Sequence, residues 1–196
     1  MKYHRNIFLT MVPLLVILDQ VTKWLIRSRL PIEPGKRRPK VEVIDGFFNI
    51  VHAKNPGAAW GLFGDAEYRM AFFTVVTLVA FVLILGYFRQ LTVHDRLLAV
   101  SLSSVFSGAA GNFIDRLMFR EVTDFLQFYL PRDSTVGAWL IDVFKTSYWP
   151  AFNVADICIN VGVGLFIWHV LFIEGKRPSD IAAAETAAKE AASTEA

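Results

Sequence analysis

Four stretches of this chain stay apolar over the length a membrane demands, and the gaps between them differ sharply in character. Residues 7–26, 70–88, 97–114 and 152–173 each predict a helix long enough to cross about 30 Å of hydrocarbon at about 1.5 Å per residue. Four spans return both termini to the same side. The first gap opens with P-I-E-P-G-K-R-R-P-K at 31–40, where Pro34 and Pro39 fix φ and remove donors, so the first helix stops before it. From Val41 the pattern turns to β-branched and aromatic residues around turns, V-E-V-I-D-G-F-F-N-I-V-H and then A-K-N-P-G-A-A-W-G, predicting a small β-rich platform outside the membrane over 41–65. Its Phe47, Phe48 and Trp60 suit the headgroup layer. The gap at 120–150 mixes Phe125, Phe128, Tyr129, Trp139, Phe144, Tyr148 and Trp149 with isolated charges and reads as an interfacial flap loop. A connection of that length is more often functional than idle. Residues 174–196 are polar and rich in Ala, Glu and Lys, and read as a solvated tail. The expected fold is an all-α membrane protein: a four-transmembrane-helix bundle over 1–173 with a β-rich platform and an interfacial loop.

Composition supports the membrane assignment, since 54% of the 196 residues are hydrophobic and only 19% charged. A net charge of +2 without a basic stripe argues against nucleic acid. The single cysteine, Cys158, excludes an internal disulfide and a thiolate metal cluster, and reads as a packing residue. Lys2 and Arg5 before an apolar run imitate a secretory signal. No small-x-small cleavage site follows, and Asp19, Gln20 and Lys23 interrupt the run, so it reads as a retained span. Lysine and arginine are dense in the 27–69 gap as well as at the termini, so the charge count leaves orientation open.

Chemistry is expected where polar residues interrupt or flank the spans. An Asp at mid-bilayer costs about 2.5–3.5 kcal/mol, which makes carboxylates near the bilayer functional candidates. Asp124 and Asp156 both fall at outer ends of spans, with Asn or Arg at helical spacing nearby. Asp19 and Lys23, one turn apart, predict an ion pair that anchors the helix end, braces the platform or meets a headgroup. Gly108, Asn112, Asp115 and Arg116 share one stripe of the third span; its small residues predict close helix approach, and Asp115 a pairing with Arg116 or Lys23. Asn153, Asp156 and Asn160 share a face of the fourth. Asn153 suits an N-cap, a role that leaves Asp156 unaccounted for. If Asp124 and Asp156 meet, they cannot both stay ionised, and the pair holds one proton, as in aspartic peptidases. Ser101, Ser103, Ser104 and Ser107 lack a matching histidine: His94 precedes their span and His169 lies far along the fourth. All four histidines read as solvated or packing residues, and with no H-E-x-x-H present, zinc chemistry is not expected.

At these residues the chain resembles lipoprotein signal peptidase, the bacterial type II signal peptidase. The resemblance spans about residues 5–173 and rests on D-Q-V-T-K at 19–23, N-P-G-A-A-W-G at 55–61, G-A-A-G-N-F-I-D-R at 108–116 with V-T-D-F at 122–125, and F-N-V-A-D at 152–156. It implies that Asp124 and Asp156 are the catalytic dyad. It assigns substrate-binding or supporting roles to Asp19, Lys23, Asn55, Gly57, Gly108, Asn112, Asp115, Arg116, Asn153 and Ala155. It further implies cleavage of diacylglyceryl-modified prolipoproteins just before the lipidated cysteine, with no metal or cofactor, and inhibition by the cyclic peptide globomycin. A location in the bacterial cytoplasmic (inner) membrane, both termini and the tail cytoplasmic and the platform extracytoplasmic, completes the expectation, with membrane lipids as surroundings and a monomer as the working state. One departure is plain: family members join the two aspartate motifs by less than the 32 positions found here, the extra residues falling around 131–147. Two rivals are a small transporter, which would distribute ionisable groups through the bilayer, and a non-catalytic lipoprotein-binding factor, which would bind without cleaving.

Overall fold

The computed structural model describes residues 2–57, 66–92, 95–129, 131, 134–144 and 148–173. Four helices are long and apolar enough to span a membrane: α1 (Lys2–Arg29), α2 (Ala66–Phe88), α3 (Arg96–Phe119) and α5 (Val154–Phe172). A short helix, α4 (Thr135–Phe144), and strands β1 (Lys40–Ile44), β2 (Phe48–Asn55) and β3 (Val122–Phe128) make up the remainder. The platform residues 58–65, with Trp60, and the tail 174–196 lie outside the described residues, as does His94.

α3 is the central helix, packed against α1, α2 and α5. Its small residues permit this. A Cβ on Gly108 would strike the Ala155 carbonyl oxygen, so α3 and α5 touch backbone to backbone there. Serine hydroxyls buried in α3 are satisfied by carbonyls: Ser103 donates to Ala99 O and Ser107 to Ser103 O at 2.6 Å, while Ser101 reaches across to Gly162 O at 2.8 Å. They are spent on packing, not held for nucleophilic attack. Cys158 packs in α5 as expected, and His4, His52 and His169 are buried. The outer faces of the bundle carry exposed Leu14, Ile17, Val21, Val75, Val82, Leu83 and Leu171, an apolar surface suited to lipid.

One expectation needs correction. The 120–150 connection is not simply an interfacial loop, because Val122–Phe128 is the third strand of the platform, in the antiparallel order β1-β2-β3. Val122, Thr123, Asp124 and Phe125 are all buried, so neighbours cover both faces and the alternation that betrays a half-buried strand is missing. The residues before α5 continue the pairing: Leu126 N donates to Phe152 O at 2.8 Å and Phe152 N to Leu126 O at 3.0 Å. The segment at 131–147 is closed at its base by a Tyr129–Tyr148 bridge, with Trp149 N donating to Phe128 O at 2.9 Å.

Candidate active site

The sheet sits at the end of the bundle where α1 and α3 finish and α2 and α5 begin, and the polar residues of all four motifs converge there. Asp124 lies on β3 opposite Ala53, which makes Asn55 its diagonal neighbour on the same face of β2. Asn55 Nδ2 donates to Asp124 Oδ2 at 2.9 Å, and Asn153 Nδ2 donates to Asp124 Oδ1 at 2.7 Å. Asn153 is the N-cap of α5, and the cap is reciprocal. Its Oδ1 accepts from Asp156 N at 3.0 Å while its own N–H donates to Asp156 Oδ2 at 3.0 Å. Capping thus does account for one oxygen of Asp156, contrary to the sequence expectation. The other oxygen, Oδ1, accepts from Asn112 Nδ2 at 2.8 Å. One asparagine therefore holds both aspartates, by its side chain on one and its backbone on the other.

Asp124 is 3% exposed and sits on the sheet beyond the spans. Burial is the main force pushing its carboxyl up, to about 6; the Asn55 hydrogen bond opposes this, and the Asp156 charge adds to it. A carboxyl so placed exchanges its proton near neutral pH. Asp156 is half-buried, which leaves the pair open on one side.

Beneath the pair lies a second cluster. Lys23, fully buried, donates to Asn112 Oδ1 at 2.9 Å and pairs with Asp19 at 2.9 Å and Asp115 at 3.5 Å. Asp19 Oδ1 accepts from Ala155 N at 2.9 Å, fastening α1 to the first turn of α5. Asp115 Oδ2 accepts from Thr123 N at 2.9 Å, fastening α3 to β3. The Asp19–Lys23 pair thus faces the bundle interior and meets no headgroup. Asp115 takes Lys23 and Arg27 as partners, with Arg27 at 3.4 Å, and among the described residues it forms no ion pair with Arg116.

Some of the expected residues are elsewhere. Gly108 and Ala155 form the α3–α5 contact. Gly57 has φ +83° and its Hα side abuts the Phe73 ring, so glycine is required there on two counts. Arg116 lies 4.6 Å over the same ring, beside the pair and not within it. Asn160 is exposed and donates to Asp156 O, so the face it shares with Asn153 does not extend the site. Sequence reasoning missed Gln20, Arg27 and Thr123 as members of the cluster. Gln20 donates to Gly111 O at 3.0 Å and Asp115 Oδ1 at 3.2 Å, and Arg27 to Thr123 Oγ1 at 2.9 Å. Arg27 was readable, because Asp19, Lys23 and Arg27 follow i, i+4, i+8 on one helical stripe.

Comparison with known proteins points one way. Residues 11–172 match the family described as signal peptidase (SPase) II. A lipoprotein signal peptidase of Geobacter metallireducens is 39% identical over 180 residues, covering 92% of this chain and 99% of the relative. That of Desulforapulum autotrophicum is 39% identical over 161 residues, 81% of this chain and 88% of the relative. A bacterial membrane enzyme solved by the in meso method at 1.9 Å resolution superposes with a TM-score of 0.66 at 31% identity, over 85% of this chain and 93% of that one. With the motifs, the four spans and these matches in agreement, this chain belongs to the signal peptidase II family.

Proposed function

We propose that this protein removes signal peptides from diacylglyceryl-modified prolipoproteins, cutting just before the lipidated cysteine, with Asp124 and Asp156 as an aspartic dyad. The observation that carries the reading is the double hold of Asn153 on both carboxylates through uncharged groups. Neutral donors orient the oxygens without fixing either aspartate as ionised, so one proton can be shared. The ionised carboxylate takes a proton from water as the water oxygen attacks the scissile carbonyl carbon. The protonated carboxyl then gives its proton to the amide nitrogen as the C–N bond breaks. Arg116, together with the Asn amides, favours the negative charge that develops on the carbonyl oxygen. No step calls for a metal or an organic cofactor.

The site's position suits such a substrate. A signal helix and two acyl chains keep the scissile bond near the membrane boundary, the level at which the sheet meets the bundle. In this reading the protein works as a monomer in the bacterial inner membrane, with both termini and the tail in the cytoplasm. Globomycin-type cyclic peptides compete for the same pocket. The inserted segment, with α4 directing Val136, Trp139 and Val143 outward, is an interfacial flap that tunes substrate preference or inhibitor access.

The test is cleavage of a diacylglyceryl-modified prolipoprotein by the purified protein, comparing wild type with Asp124→Asn and Asp156→Asn and adding a globomycin control. Product from wild type and none from either folded variant is the expected result. Retained cleavage in a variant would move the dyad elsewhere, and a wild type that binds without cutting would overturn the peptidase reading.

A further inference from the structure

A cleft of about 490 Å³ lies beside the dyad, between the first turn of α2 and the last turn of α3. Its walls combine three arginines, Arg69, Arg116 and Arg120, with Met70, Phe73 and Leu117, and no acidic side chain is among its described lining residues. Among the described residues none of the three guanidinium groups forms an ion pair. Arg116 feels the charges of Asp156, Asp124 and Asp115, whereas Arg69 and Arg120 form no ion pair among the described residues, and arginine's planar fork matches phosphate oxygens in pairs.

Arg120 adds an independent detail. It caps α3 with φ 60°, the only non-glycine residue at positive φ among the described residues. Glycine is the usual residue at such a helix end because a side chain is disfavoured there. Here the side chain is retained and lines the cleft. The cleft also lies at the sheet end of the bundle, where spans emerge into the headgroup layer, with its apolar walls on the two spans themselves. A ligand anionic at its head and apolar below fits that division.

We propose that this cleft binds the phosphate of an anionic membrane phospholipid, gripped by Arg69 and Arg120 with Arg116 on its inner side. The lipid joins α2 to the end of α3, where Arg116 is next to Asp115 and one turn from Asn112, so bilayer composition reaches the dyad's supports. This inference does not rest on the peptidase reading, because its readout is lipid retention.

The experiment places the full chain in nanodiscs of phosphatidylcholine mixed with phosphatidylglycerol, releases it, and counts retained lipids by native mass spectrometry. Wild type should retain phosphatidylglycerol over phosphatidylcholine by about tenfold, the equivalent of about 1.4 kcal/mol. Arg69→Gln/Arg120→Gln should lose that preference, and Arg38→Gln/Arg89→Gln, away from the cleft, should keep it. Arg120→Gly guards against misfolding as an explanation: glycine suits φ 60°, so the thermal midpoint should not fall while the preference drops. Equal retention by wild type and the Arg69/Arg120 variant would overturn the proposal. So would binding of inorganic phosphate alone, with no preference for the lipid.

Discussion

Two pairs of carboxylates, all buried except the half-buried Asp156, have opposite surroundings. Asp19 and Asp115 face cations: Lys23 touches both, and Arg27 adds to Asp115. Asp124 and Asp156 face amides: Asn55, Asn112 and Asn153 supply their side-chain partners. A carboxylate and an ammonium buried together depend on each other, since removing either charge strands the other. A carboxylate held by neutral donors keeps its orientation in either protonation state, and burial brings Asp124 to about 6. The first pair is anchored by opposite charge, the second oriented by neutral amides. The shared element is Asn112, whose Oδ1 accepts from Lys23 while its Nδ2 donates to Asp156. The fixed cluster thereby sets the amide orientation that the exchanging pair depends on.

The sharpest way to break this contrast is to remove one charge from each cluster. Asp124→Asn or Asp156→Asn should lower cleavage by about 10²–10⁴-fold, the range for losing a general acid or base, in protein that remains folded. Lys23→Met should do the reverse. It strands two buried carboxylates and should destabilise by about 3–5 kcal/mol, read as a lower midpoint in detergent, while the rate of the protein that stays folded should fall less than in the dyad variants, through the freed Asn112 amide. A stable Lys23→Met protein would erase the distinction between the clusters.

Asn153→Ala probes the hinge between the two behaviours. Losing the cap should cost about 1 kcal/mol in stability, and releasing both carboxylates should cut the rate by more than that destabilisation explains. Measured kcat alongside the midpoint separates the two.

Acidity offers a gentler test. Because Asp124 binds its proton more tightly when folded, its contribution to stability is fully present below pH 3.8 and is lost as pH rises through about 6. The thermal midpoint of wild type relative to Asp124→Asn should therefore fall between pH 4 and pH 7, to be read by parallel melts across that range. A constant difference would mean that Asp124 does not change its protonation over this range. The smallest expected effect on chemistry comes from removing residues 131–147 and rejoining the chain at the Tyr129–Tyr148 bridge. The ratio of rates on two prolipoproteins, or the globomycin dose response, should shift while Asp124 and Asp156 remain essential; no change in either readout would leave the flap without a role.

How much of this could be read from the chain follows the range of each force. Hydrophobicity accumulates locally, so the four spans could be bounded to within about five residues, α1 reaching Arg29 and α3 reaching Phe119 against expected ends at 26 and 114. Helical spacing is local too, which exposed the Asp19–Lys23 pair and the stripe through Gly108, Asn112 and Asp115. Strand β3 escaped because both its faces are covered and no alternation marks it. The joining of Asp124 to Asp156 was expected only through family resemblance, since nothing in 32 intervening positions specifies it.

That meeting is a product of pairing between distant segments. Phe152 lies against Leu126 by backbone hydrogen bonds, which set the cap of α5 beside β3 and bring Asn153 within 2.7 Å of Asp124. The sequence by itself determined what each segment is, because burial of apolar side chains and helix periodicity act over a few residues. Only the tertiary structure decided which carboxylates meet cations and which meet amides, because charges and hydrogen bonds select their partners after the helices and the sheet have been brought together.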